Sequence, residues 1–294
     1  MTARSSLLCL VLALCLGPFG ASAAAADANP FTIVAPAEVV QGQAFLVALK
    51  GPQTPPGCEV NFLGRAYHTW AEAGEVRALV AVATEDPCGA CLLIFGWQDG
   101  AGGRCAIGLR VDVRPAAFGE QRLSLPHNMV SPDALTMERI GAEKERLAAC
   151  LATACPDHLW GSGFCRPVAG AIISPFGLRR VLNGEPKSPH AGVDFKAAMG
   201  EPVHAAAAGR VALVAPFYLE GNLVVIDHGL GLSTFYCHLS EARVKEGDVV
   251  EKGQVIGLAG ASGRATGPHL HFGARVGEVR IDPLSLLKLV GGTF

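Results

Sequence analysis

Glycine and proline break this sequence so often that hardly any apolar run outlasts a short strand. The chain has 36 glycines and 19 prolines among 294 residues, with only 6% aromatics. Such punctuation favours many turns and short strands over long helical bundles. Half of the residues are hydrophobic, which excludes a disordered chain. Twenty-four Lys and Arg stand against 26 Asp and Glu, a net charge of −2, and no basic run stands out. A phosphate-backbone footprint is therefore absent, and nucleic acid is excluded as the expected partner.

Residues 7–16 form one uninterrupted apolar run behind the lone charge Arg4, and small residues follow at Ala21, Ser22 and Ala23. This pattern reads as a secretory signal peptide over residues 1–23. The run is too short for a membrane anchor, which needs roughly 20 apolar residues. No membrane anchor is expected after cleavage, and the location expected is periplasmic or secreted. Eight cysteines remain in the mature chain: Cys58, Cys88, Cys91, Cys105, Cys150, Cys155, Cys165 and Cys237. In an exported protein they read first as disulfides, with the pairing open.

The mature chain divides into three parts. Residues 27–115 read as a β-sandwich domain, immunoglobulin-like, with strands near 31–34, 45–49, 60–63, 76–83, 91–97 and 106–113. Residues 131–155 read as a linking helix. Ser131 is the expected N-cap before Pro132, Leu135, Ile140, Leu147 and Leu151 recur at helical spacing, and Arg139 and Glu143 lie four apart. Residues 166–290 return to short strands, near 170–174, 193–196, 202–204, 208–215, 223–227, 232–239, 254–259, 269–275 and 279–281.

Three of these strands carry the chemistry. In residues 190–194 (His-Ala-Gly-Val-Asp), a period of two places His190 and Asp194 on one face and apolar residues on the other. In residues 269–272 (His-Leu-His-Phe), both histidines share a face. In residues 235–239 (Phe-Tyr-Cys-His-Leu), alternation puts Tyr236 with His238, and Cys237 in the core. A lone histidine on a strand is usually structural, and His68, His127, His158, His204 and His228 are read so. Four imidazoles and a carboxylate on polar faces of neighbouring strands form a ligand set suited to a catalytic zinc site, with imidazoles to spare for proton transfer.

At these residues the chain resembles the lysostaphin-type (LytM-type) zinc metallopeptidases that cut peptidoglycan cross-links. The likeness covers roughly residues 166–285. It includes residues 174–179 (Ser-Pro-Phe-Gly-Leu-Arg), the His190-to-Asp194 segment, residues 222–226, 236–240 and 247–257, and residues 260–272 ending in His-Leu-His-Phe. The resemblance implies a mainly β chain whose C-terminal part is a two-sheet antiparallel peptidase domain of the duplicated-hybrid-motif type. It implies one zinc ion per chain, held by His190, Asp194 and His271. His238 and His269 would be the catalytic histidines, and Arg179, Asn222 and Tyr236 substrate contacts. Peptidoglycan stem peptides would be the partner, with the bond from D-Ala to diaminopimelate preferred. Cys237 stands where the family often has a small residue, and Gly273 where it often has Glu.

Two other readings compete. A non-catalytic module of the same fold would bind the wall or activate an amidase; the full histidine set argues against it. A carrier domain is suggested by residues 245–257, but an export signal and the lack of a Met-Lys-Met attachment turn argue against that. The helix before the catalytic part also suggests partial self-inhibition.

Overall fold

The computed structural model describes residues 29–124, 130–153 and 155–289. The expected signal peptide lies outside these residues. The chain is mainly β, as the glycine and proline spacing requires.

The N-terminal strands form two sheets. One has the order Thr32–Val34, Ala44–Lys50, Glu75–Ala81, Thr69–Glu72; the other has Glu38–Val40, Arg104–Arg114, Gly89–Gln98, Glu59–Phe62, Arg65–Tyr67. Val47, Ala78 and Val80 from the first bury against Val60, Phe62, Leu93, Phe95 and Val111 from the second. The same apolar cluster continues into Leu232, Ala274, Val276, Val279, Ile281 and Leu286 of the C-terminal part. Backbone contacts reinforce this join: Asp282 N donates to Gly42 O at 2.6 Å, and Ala44 N donates to Ser285 Oγ at 3.2 Å.

The helix runs Ala134–Leu151, and its N-cap is Asp133 rather than Ser131. The Asp133 carboxylate accepts from Thr136 N at 2.8 Å, a charge-assisted cap two residues after the expected Ser131 hydroxyl. Arg139 and Glu143 pair at 2.7 Å. Of the expected apolar stripe, Ile140 is buried, Leu147 and Leu151 pack on Leu213, Phe217 and Leu223, and Leu135 is exposed.

The C-terminal strands form one continuous ten-stranded antiparallel sheet instead of the two separate sheets expected. The cause is the strand Leu232–Ala242. Residues 232–237 pair with His269–Val276, and beyond His238 the same edge pairs with Val255–Ala259. One strand thus bridges what would have been two sheets. Val193, Phe195, Leu270, Phe272, Tyr236 and Val224 fill the core on one face.

A three-stranded sheet is added by Glu120–Leu123, Arg179–Leu182 and Glu185–Lys187. Its hairpin turns at Asn183 and Gly184, both with positive φ (51° and 86°), the backbone that a two-residue type I′ turn needs. This Asn-Gly signal was available in the sequence.

The disulfide expectation is corrected: all eight cysteines are free thiols. Each has surroundings of its own. Cys58 Sγ lies 3.3 Å from Pro55 O, Cys150 Sγ 3.3 Å from Ala212 O, and Cys165 Sγ 3.5 Å from Ala205 O.

Candidate functional site

Antiparallel register decides which side chains meet. Asp194 lies opposite His271, and His271 opposite Cys237, so all three stand in a row on one face of the sheet. His190 enters from the residues just before the strand Gly192–Lys196. The result is a tight cluster: Asp194 Oδ1 is 2.7 Å from His271 Nδ1 and 2.9 Å from His190 Nε2, and the two ring nitrogens are 3.0 Å apart.

The proton inventory of this cluster is informative. His190 Nδ1 lies 2.8 Å from Pro175 O, which can only accept, so Nδ1 carries a proton and Nε2 is the ring nitrogen turned to the cluster. The Asp194 carboxylate also only accepts. Burial pushes the Asp194 carboxyl up, but hydrogen bonds with His190 and His271 outweigh it and hold it well below the usual carboxylate range. Burial pushes His271 down, against the pull of Asp194. A carboxylate oxygen and two ring nitrogens therefore converge on one point, all within 3.0 Å of one another. A cation that takes nitrogen and oxygen ligands satisfies all three, so the donor set fits zinc.

His269 and His238 flank the cluster. His269 Nδ1–H donates to Gly267 O at 2.8 Å, and its Nε2 comes within 4.0 Å of Asp194 Oδ1. His238 Nδ1–H donates to Ser262 O at 2.8 Å, and its ring centre is 4.8 Å from that of His269. Backbone carbonyls thus take the Nδ1 side of both imidazoles, which leaves Nε2 as the nitrogen free of the backbone. Burial, with repulsion from His271 and His269, pushes His238 down to about 3, so it is neutral near pH 7.

His238 reaches the site by a route that alternation does not give. By period two it would follow Tyr236 into the core. Instead His238 has φ 61°, and the pairing with Gly221–Gly229 slips between Asn222 and Val224. This bulge re-aims the side chain across the sheet. His238 N donates to Glu220 O at 2.8 Å, which holds the bulge.

Three of the residues taken as substrate contacts fall elsewhere. Tyr236 has no exposed surface; it packs in the core, and its hydroxyl accepts from Ala206 N at 2.8 Å. The expectation that it shares a face with His238 is corrected, and Cys237, expected on the core face of that strand, lies beside His271 beneath the helix. Asn222 Nδ2 donates to Leu239 O at 2.9 Å and Ser240 O at 3.3 Å, so this side chain braces the backbone that carries His238. Arg179 is exposed and lines the cleft toward Arg65 and Glu85. Its neighbour Arg180 is the one at the cluster, with Nη2 3.3 Å from Asp194 Oδ2. Period two in Arg179–Leu182 decides between the two arginines, and the hairpin had to be identified before that period could be used.

Gly192 shows how little space is left. A Cβ there would stand 2.3 Å from Phe272 O and 2.9 Å from His271 Nε2. Phe272 O cannot retreat without opening the ladder between the two site strands. Gly192→Ala is expected to destabilise the fold by about 1–3 kcal/mol and to move His271. Denaturant unfolding together with metal content after zinc loading checks this; unchanged values in both would show that the site is slack.

A family model described as Peptidase family M23 matches residues 188–283. The chain is 44% identical over 96 residues to peptidoglycan DD-endopeptidase ShyB of Vibrio cholerae, covering 33% of this chain and 22% of that protein. It is 41% identical over 115 residues to the DD-carboxypeptidase/endopeptidase Mpg of Neisseria meningitidis, covering 39% and 26%. The chain thus spans about a quarter of the length of these curated relatives. A crystal structure from Pseudomonas aeruginosa, described as a peptidase M23, superposes with a TM-score of 0.65 at 29% identity. It covers 84% of this chain and 94% of that one, so the likeness in fold extends well beyond the family match.

Proposed function

Residues 188–283 belong to peptidase family M23, and from that premise we propose that the chain is an exported zinc metalloendopeptidase hydrolysing peptide cross-links of peptidoglycan. The bond preferred is that from D-Ala to diaminopimelate, in keeping with the DD-endopeptidase relative. The observation that carries this reading is the convergence of His190 Nε2, Asp194 Oδ1 and His271 Nδ1 within 3.0 Å of one another, flanked by two imidazoles whose Nε2 atoms are free of the backbone.

His190, Asp194 and His271 would hold one zinc ion, which supplies a Lewis acid that acidifies water and polarises a carbonyl. The remaining work falls to the chain itself. His238 and His269 present acceptors at Nε2, because backbone carbonyls fix their protons at Nδ1. His269 Nε2, the nearer to Asp194, takes a proton from the attacking water. Water adds to the scissile carbonyl carbon, the C–N bond breaks, and the proton taken up returns to the leaving nitrogen. His238, neutral and walled by protein, receives or relays that proton. The N-terminal two-sheet unit is read as an immunoglobulin-like sandwich, and the C-terminal fold as a duplicated hybrid motif. The helix walls the cavity beside His238 through Met137, Ile140 and Lys144, which favours partial self-inhibition.

Mass spectrometry of defined cross-linked muropeptides incubated with the full chain tests the proposal. The expected products are a new carboxylate and a new amine at the D-Ala bond. His269→Ala is expected to lower the rate by about 10²–10⁴-fold. A His269→Ala protein as fast as the parent would favour the wall-binding or amidase-activating module instead.

A further inference from the structure

A cavity of about 410 Å³ opens beside the cluster, with His238 and His271 forming part of its wall. Five cationic side chains stand among the apolar residues of the rest of its wall. Lys144 comes from the helix, Arg180 and Lys187 from the hairpin, Arg264 from the loop before His269–Val276, and Arg280 from the strand Val279–Ile281; Glu220 is the single carboxylic side chain among the lining residues. Arg180 and Lys187 are cross-strand partners, so the hairpin register aims both the same way. Glu185 pairs with Lys187 at 2.7 Å and Asp194 with Arg180 at 3.3 Å, and Glu220 is the carboxylate that shares the cavity wall with Lys144, Arg264 and Arg280. Arg180 adds a second observation. Its Nη2 reaches Asp194 at a long 3.3 Å, and its buried Nε has no hydrogen-bond partner among the described residues. A buried guanidinium donor without an acceptor is costly, and an anion bound at Arg180 removes the cost.

Because His238 and His271 border both the cavity and the reacting centre, an anion in the cavity must sit within a few bonds of the scissile amide. A diamino diacid cross-link meets that condition, since its leaving nitrogen is attached to a carbon that bears a free carboxylate. A glycine bridge does not.

We infer that this cavity is a carboxylate subsite, formed by Lys144, Arg180, Arg264 and Arg280, for the residue on the amine side of the bond cut. The inference rests on the endopeptidase reading, and it names what that site selects: cross-links with a free carboxylate next to the scissile nitrogen, over neutral bridges and over amidated forms of the same residue. Lys144 makes the helix a contributor to specificity as well as a neighbour of the groove.

Binding separates this from the hydrolase reading. Titration calorimetry of the full chain compares a tripeptide ending in diaminopimelate with the same peptide amidated at the carboxylate beside the side-chain amine. Amidation is expected to weaken binding about 10–100-fold, the usual worth of a charge-assisted hydrogen-bond pair, and raised salt should narrow the gap. The double variant Lys144→Gln, Arg280→Gln changes two exposed side chains and is expected to shrink the preference at least about fivefold. Equal affinity for the two peptides, or an undiminished preference in the variant, overturns the subsite whatever the activity. A preference in binding without any cleavage of cross-linked muropeptides keeps the subsite and removes the hydrolase.

Discussion

Replacing His271 with alanine is expected to lower cross-link hydrolysis by at least about 10³-fold, the scale of several kcal/mol that a bound metal contributes to a charged transition state. The same substitution should take the tightly held zinc from one per chain to none. Asp194→Ala should behave alike, for the same reason: in each case one of three converging lone-pair atoms is removed and the remaining two cannot grip the ion. Asp194 carries a further burden, because its Oδ1 contacts both imidazoles and its Oδ2 faces Arg180. Metal analysis after dialysis, beside the rate on defined muropeptides, checks both effects. Full activity in a metal-free His271→Ala protein would end the zinc mechanism.

The second large effect is on stability in acid. His228, at the turn beside Gly229, is fully buried, in keeping with a structural role. Its Nδ1–H donates to Ala208 O at 2.7 Å. Its Nε2 lies 2.7 Å from Thr234 Oγ1, which in turn lies 3.0 Å from the Tyr236 hydroxyl. A proton on Nε2 would place a charge in the core, and burial pushes His228 down to about 4. An unfolded chain takes up that proton near pH 6.5, the folded chain only near 4. Between those values the unfolded state binds more protons, so stability falls as pH falls, by about 3 kcal/mol in total. His228→Gln should be less stable at pH 7 but should lose that much less on acidification. Urea unfolding of both proteins at pH 7 and pH 4.5 measures the difference; parallel losses would show that another group carries the acid response.

Much of this architecture was legible because burial writes a period of two into the strands. Gly192–Lys196 and His269–Val276 carry apolar residues on alternate positions, and their polar faces meet in the cluster as alternation requires. Glu120–Leu123 and Arg179–Leu182 left no such trace, since a polar added sheet buries little on either face. Alternation misled at Tyr236 and Cys237. The period holds only while the backbone is extended, and the left-handed turn at His238 breaks it one residue later. Tyr236 therefore went to the core with its hydroxyl satisfied there. Arg180 escaped notice because the residue beside it sat in a more conspicuous motif. The cysteines misled for another reason: spacing along the chain says nothing about whether two thiols lie within bonding reach, and Cys58, Cys150 and Cys165 instead lie against backbone carbonyls.

The apolar cluster shared by the two halves sets a limit on how this protein can be cut or recombined. Leu232, Val276, Val279 and Ile281 are covered by side chains from the front of the chain. A fragment beginning near Gly161 would carry those side chains bare into water, an oily scar that invites clumping. For this reason a change of rate in such a fragment would report the bare seam as much as any restraint by the front half on the proposed hydrolysis. A graft that exchanged the front half for another module would first have to re-dress that seam.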